Sequence, residues 1–326
     1  MRKRTKHKTR RPRPTLKQPR IPPWTELKNA YRELMSRPNV VGCFVGERMR
    51  GGRQTGQLAV VCCVTEKVAR ADLDPRGELL PRHITWNRTS ERHGRLLIDV
   101  QNAAAMARPA SLRVAGAGDA VREIIDRGVR TESPGTLGIA VSHPVFGHVC
   151  LTAGHVVAPG LNGSFTFPAD ERPLVQLVNT ISGPGDELFT GRALKVSMTD
   201  TSDYALVLPE DGFLSRNLYH DRLQLAGPFL PLPADLNREV FVLTRGAIRR
   251  TVFRGVLGTL VVEGRLMRNL LITDFDTRAG DSGSCLVDDE TRVWGMLVGF
   301  SIVNDRAVSV FMPALEPLIR EQAEFL

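Results

Sequence analysis

The stretch Arg278-Ala279-Gly280-Asp281-Ser282-Gly283-Ser284 is short, polar and twice marked by glycine. It lies between two runs that read as buried strands, Asn269-Leu270-Leu271-Ile272-Thr273 before it and Cys285-Leu286-Val287 after it. A serine with glycine at −2 and +1 sits where the backbone can turn tightly and approach another molecule closely. A nucleophilic hydroxyl needs that setting, with backbone N–H groups free to face the oxygen of the group it attacks. Taken alone, Gly-Asp-Ser-Gly is equally an ordinary loop. A base and an orienting acid elsewhere in the chain decide between the two.

Working outward, Leu151-Thr152-Ala153-Gly154-His155-Val156-Val157 places a histidine directly after an apolar strand and a small-residue turn. Among the seven histidines only His155 has that context; the others lie in the N-terminal tail or in polar and turn segments. Thr201-Ser202-Asp203-Tyr204-Ala205-Leu206-Val207 places an aspartate at the mouth of another apolar run. Asp200 and Asp186 are its rivals, and the apolar residues directly after Asp203 favour it. Ser282 Oγ is a weak nucleophile until a base takes its proton, so His155 is the candidate base and Asp203 the group that fixes its tautomer.

The order His, Asp, Ser, with these three local patterns, resembles the trypsin-like (chymotrypsin-fold) serine peptidases. Thr-Ala-Gly-His stands where that family has Thr-Ala-Ala-His. Asp-Tyr-Ala-Leu stands for Asp-x-Ala-Leu, and Gly-Asp-Ser-Gly-Ser for Gly-Asp-Ser-Gly followed by Gly or Ser. The resemblance covers roughly the last two-thirds of the chain. It implies a mainly β protein, a chymotrypsin-like double antiparallel β-barrel with the active site in the cleft between the barrels. It also implies an oxyanion hole from the N–H groups of Gly280 and Ser282, with Asp281 as the anion that positions the loop. Secreted members meet that anion with a freed N-terminus. Here 134 residues precede the first barrel strand, so a nearby Arg or Lys is expected instead, Arg278 being close in sequence. Asp276 stands where trypsin-like enzymes hold the acid that binds a basic P1 side chain; the alternative is that Asp274 or Asp276 only caps the loop. Gly299, in Val298-Gly299-Phe300-Ser301, is expected on the pocket wall.

Taken in order, residues 1–23 carry ten Lys or Arg, no acid and five prolines, and read as a disordered basic tail. The tail is either a solvated extension or a handle for nucleic acid or an acidic partner. Residues 24–115 read as a small α+β module with a linker. A helix is expected over 24–36 with Thr25 as N-cap, then a hairpin of 40–47 and 58–67 with a long glycine-rich connection, then a strand over 95–100. Val41-Gly42, Gly46, Gly51-Gly52 and Asp99-Val100 are similar to a module that precedes the protease in bacterial and plant narrow-leaf-type proteins. Residues 103–114 read as linker, and 119–127 as a short helix stopped by Gly128. Residues 116–326 read as the protease domain. Its barrels are expected at about 135–224 and 225–312, with a closing helix over 313–325. The strands anticipated there include 252–257, 260–262 and 293–299.

The formal charge of +9 belongs to the tail: without its ten cations, 34 basic residues face 35 acidic ones. Five cysteines form an odd set without paired spacing, and Val156 replaces the cysteine that secreted relatives carry after the histidine. A reducing, cytoplasmic setting is therefore expected. Cys62 and Cys63 are adjacent, so on a strand they face opposite sides. No metal-ligand spacing, no cofactor motif and no membrane-length apolar run is present. The expected function is a serine endopeptidase acting on protein or peptide substrates through an acyl-enzyme. Two alternatives stand beside it: a protease-fold binding or regulatory protein, and a basic-armed, capsid-like nucleic-acid binder.

Overall fold

The computed structural model describes residues 22–326 apart from 38, 52, 66, 68–79, 90–91, 103–119, 127–128, 132–134, 180–186, 210–216, 220–222, 245–246, 263 and 304–305. The basic tail up to residue 21, the 103–114 linker and Asp186 lie outside these residues. The protein is mainly β, built on two large sheets in which almost every pairing is antiparallel.

Six strands of the C-terminal half close on themselves. Glu239–Thr244 pairs with Ala247–Val262, which pairs with Arg265–Thr273; Arg306–Pro313, Arg292–Val303 and Cys285–Val287 follow, and the last returns to Glu239–Thr244. Closure leaves no edge within the ring. Its filling includes Val240, Val242, Leu271, Leu286, Phe311 and the edge-to-face pair Phe253–Trp294, whose centroids are 5.0 Å apart. Burying each large side chain contributes about 1.5–3 kcal/mol.

The N-terminal segment continues this sheet. Val40–Arg50 pairs antiparallel with the second half of the 247–262 strand, Gly42 opposite Leu260 and Gly46 opposite Gly255. Arg53–Val64, Arg92–Asn102 and His83–Thr89 extend it outward. The helix Trp24–Met35 lays Leu27, Tyr31 and Leu34 in one apolar layer with Cys43, Val45, Val60 and Cys62. Cys63 lies in the opposite layer, as the period-two alternation of a strand demands. All five cysteines are buried free thiols. Cys43 and Cys62 face each other across the hairpin, Sγ to Sγ 3.9 Å, a proximity that sequence spacing did not suggest.

The other sheet, termed the first sheet because it carries the earlier part of residues 120–326, runs Glu324–Phe325, Ala140–His143, Gly147–Thr152, Asp203–Pro209, Glu187–Met198, Leu174–Asn179, Ala120–Asp126 and Val129–Thr131. One face is filled by residues such as Val156, Val175, Leu177, Val196 and Val207. The other face, with Val141, Leu151 and Leu206, meets Leu260, Met267, Leu270 and Val298 of the closed ring in a continuous apolar seam.

Several local expectations are corrected. The helix expected over 119–127 is a strand, Ala120–Asp126, paired with Leu174–Asn179. The first helix opens at Trp24 after Pro23 with no side-chain cap, so Thr25 lies inside it. The hairpin strands run on to Arg50 and start again at Arg53, leaving a tight turn instead of a long connection. Runs 252–257 and 260–262 form one sixteen-residue strand, bent at Leu257, whose φ is +54°. The closing helix spans only Leu315–Glu321; Gln322 in the left-handed region ends it, and Glu324–Phe325 joins the first sheet. Among the described residues no helix is long and apolar enough to cross a membrane.

Candidate active site

His155 stands in the single helical turn Gly154–Val157 that follows the strand Gly147–Thr152, and Asp203 opens the neighbouring strand Asp203–Pro209. Both lie on the side of the first sheet, Asp203 in a strand of it and His155 in the turn that follows one. Ser282 comes from the other side of the seam, on the loop joining Arg265–Thr273 to Cys285–Val287. Sequence separations of 48 and 127 residues collapse to contact: His155 Nδ1 lies 3.1 Å from Asp203 Oδ2, and His155 Nε2 lies 2.9 Å from Ser282 Oγ.

All three residues are buried, His155 at 8 %, Ser282 at 2 % and Asp203 at 0 % exposure, so the contacts act in a poorly screened setting. An ionised Asp203 can only accept, which places the ring proton on Nδ1 and leaves the Nε2 lone pair facing the serine hydroxyl. The backbone N–H of His155 donates to the other carboxylate oxygen, Oδ1, at 3.1 Å. Burial alone would raise the pKa of Asp203. The charge and hydrogen bond of His155, the Arg265 charge and the His155 N–H together hold it below the ordinary carboxylate value.

Arg265 is a member of the site that sequence reasoning missed. It starts the 265–273 strand of the closed ring and its Nη2 donates across the seam to Asp203 Oδ2. Its other terminal nitrogen, Nη1, is buried and finds no partner among the described residues. The signal available in sequence was a cation two positions before the core residue Met267, hence on the same face of an apolar strand.

The serine loop is held from both sheets. Within it, Asp281 Oδ2 accepts the Arg278 N–H at 2.8 Å and the Asp281 C=O accepts the Ser284 N–H at 2.9 Å. Gly283 N–H donates to the Leu297 C=O at 2.8 Å. From the first sheet, Thr136 donates its N–H to the Ser282 C=O at 2.7 Å and its hydroxyl to the Gly280 C=O at 2.8 Å. Thr152 Oγ1 in turn donates to the Thr136 C=O at 2.7 Å. Nothing in the sequence around Thr136 announces this clamp.

Gly283 has φ +96°, and a Cβ there would come within 1.9 Å of the Thr136 carbonyl oxygen, so only glycine fits. Gly280, at φ +91°, turns the backbone before the nucleophile. Among the described residues neither the Gly280 nor the Ser282 N–H donates to a protein acceptor.

The expected cation beside Asp281 is Arg249, whose Nη1 lies 3.7 Å from Oδ2 and whose guanidinium covers the Phe275 ring. Arg278 contributes its backbone N–H there. Burial outweighs these contacts and leaves the Asp281 pKa raised. Asp276 is exposed and makes no hydrogen bond or ion pair among the described residues, whereas Asp274 is paired with Arg254. Gly299 is buried opposite Val310, and a Cβ on it would meet Val262 at 2.8 Å, so close packing already explains its missing side chain. Asp200 pairs with Arg268 at 2.9 Å. No group of three His, Cys, Asp or Glu side chains among the described residues is arranged to hold a metal.

No family model matches the chain, and no curated protein matches it. Solved structures do. A chymotrypsin from Cellulomonas bogoriensis aligns at 17% identity over 64% of this chain and 97% of its own, with a TM-score of 0.44. A Nocardiopsis protease aligns at 15% identity over 63% and 97%, TM-score 0.44. Protease A of Thermobifida fusca aligns at 13% identity over 64% and 97%, TM-score 0.40. At these values the likeness carries nothing about chemistry, which rests on the geometry above.

Proposed function

We propose that this chain is a serine endopeptidase that hydrolyses peptide bonds through an acyl-enzyme. One observation carries the reading: Ser282 Oγ, the His155 ring and Asp203 form an unbroken hydrogen-bonded chain across the seam, with links of 2.9 and 3.1 Å.

In the first half-reaction Ser282 Oγ attacks the peptide carbonyl carbon while His155 Nε2 takes the hydroxyl proton. The N–H groups of Gly280 and Ser282 are the donors for the oxygen that gains charge; losing one such donor costs roughly 10²–10³ in kcat. The imidazolium then gives its proton to the leaving nitrogen, the C–N bond breaks, and an ester remains on Ser282. In the second half a water loses a proton to His155 and its oxygen bonds the ester carbon. The ester C–O bond breaks and the proton returns to Ser282. One peptide bond and one water become an acid and an amine.

Asp203 holds the Nδ1 proton and stabilises the imidazolium, Arg265 fixes Asp203, and Asp281 with Arg249 keeps the loop in register. Asp276, exposed and uncommitted, is the carboxylate available to a basic P1 side chain, with Gly299 on the adjoining strand.

The test is turnover of casein and of a peptide library by the full chain. Cleavage reduced at least ~10³-fold by Ser282→Ala supports the reading. Cleavage that persists in the variant, or that is absent from the folded wild type, overturns it.

A further inference from the structure

Beneath the helix Trp24–Met35 lies a cleft of about 190 Å³, roofed by Lys28, Tyr31 and Arg32 and floored by Thr259, Leu266 and Arg268. Its charge is one-sided: among the described residues three cations line it and no carboxylate does. Among the described residues neither Lys28 nor Arg32 forms an ion pair. Among the described residues Arg268 commits one terminal nitrogen, Nη1, to Asp200 and leaves the rest of its fork available. Thr259 is 2 % exposed, and among the described residues its buried hydroxyl has no partner. A buried hydroxyl without a partner is destabilising, and natural structures rarely keep one without a use.

We infer that this cleft is a binding site for a phosphate group. A small tetrahedral dianion fits what the walls offer: three cationic side chains from the helix and the strand, hydroxyls below, and, among the described lining residues, no acid; the nearby Asp200 is already paired with Arg268. Arg268 supplies a planar fork suited to two phosphate oxygens, and the Thr259 hydroxyl gains the acceptor it lacks. Tyr31 adds a hydroxyl that burial keeps protonated, hence a donor.

The site adjoins the seam without being part of it. Along the 265–273 strand, Leu266 and Arg268 line the cleft while Arg265 and Met267 face the first sheet. Side chains alternate along a strand, so one strand serves both. The cleft shares no residue with the hydrogen-bonded chain of Asp203, His155 and Ser282.

The test is calorimetric titration of the full chain with inorganic phosphate and, separately, with O-phosphoserine, at fixed ionic strength against a chloride blank. Saturable binding weakened at least tenfold by Lys28→Gln/Arg32→Gln, and severalfold by Arg268→Gln, supports the site. Arg250→Gln, on an exposed residue elsewhere, leaves it unchanged. The stronger of the two ligands identifies free phosphate or a phosphate ester as its source. Thr259→Val gives a second readout: it raises the melting temperature in phosphate-free buffer and lowers phosphate affinity. Binding that survives the double substitution belongs to the basic tail and overturns the inference, as does no binding at all. Thr259→Val without effect on affinity removes the hydroxyl from the site.

Discussion

Arg265 and His155 meet on the same oxygen of Asp203: the guanidinium Nη2 donates to Oδ2 from the closed ring, and the imidazole Nδ1 lies 3.1 Å from it on the first sheet. The cation steadies the carboxylate but also offsets the negative field that would favour an imidazolium. Arg265→Gln therefore moves the acid limb of the kcat/KM–pH profile upward, because His155 becomes easier to protonate. Arg265→Lys keeps the charge and leaves the limb near its wild-type position. An acid limb indifferent to Arg265→Gln contradicts this coupling.

Thr136 fixes the serine loop from the opposite sheet through Ser282 and Gly280. Thr136→Val removes only the hydroxyl bond and orphans the Gly280 carbonyl. Stability should fall by about 1–3 kcal/mol. The kcat should drop between ten- and a hundredfold, on the order of what a small misplacement of a reacting group costs. Chemical denaturation and steady-state kinetics measure both.

Two glycines in the left-handed region separate strain from collision. Gly264 has φ +77° with open space around its missing Cβ, so Gly264→Ala costs about 1–3 kcal/mol and preserves activity. At Gly283 the new Cβ lands 1.9 Å from a backbone oxygen that cannot move without the clamp. Gly283→Ala should abolish turnover, and equal activity of the two variants would refute the loop geometry.

Acid sensitivity has a second source beside the triad. Glu321 accepts bonds from Tyr204 and from Lys195 at 2.9 Å, and lies 3.4 Å from His143 Nε2. Burial pushes its pKa up, but these partners bring it below the ordinary value. A depressed carboxylate stabilises the fold above its unfolded pKa of about 4.3 and loses that contribution as the pH falls through the folded value. The urea midpoint should fall below about pH 4.3, and Glu321→Gln should flatten that part of the curve. An unchanged slope counts against the network.

The reactive loop was legible because its requirements are local: two glycines and a serine between apolar strands describe a turn wherever they occur. His155 and Asp203 were legible for the same reason, each set beside an apolar run. Arg265 was not, since alternation tells which side a cation faces and not which carboxylate waits across a seam. The strand Ala120–Asp126 reads as a helix because Val121, Ile124 and Ile125 fall at helical spacing; its partner, Leu174–Asn179, is far away in sequence, Leu174 standing opposite Ile125 and Val178 opposite Ala120. Glu187–Met198 does not read as a strand because Gly191, Arg192 and Lys195 break its apolar pattern. Runs 252–257 and 260–262 read as two strands because Gly258-Thr259 breaks the apolar run, whereas the backbone carries one strand through, bent at Leu257.

The most direct measurement is labelling of the full chain with a fluorophosphonate probe, followed by mass-spectrometric mapping of the modified residue. The account predicts a single adduct on Ser282 Oγ in wild type, none in Ser282→Ala, and strongly slowed labelling in His155→Ala. An adduct on another residue, or labelling as fast without the imidazole as with it, would contradict it.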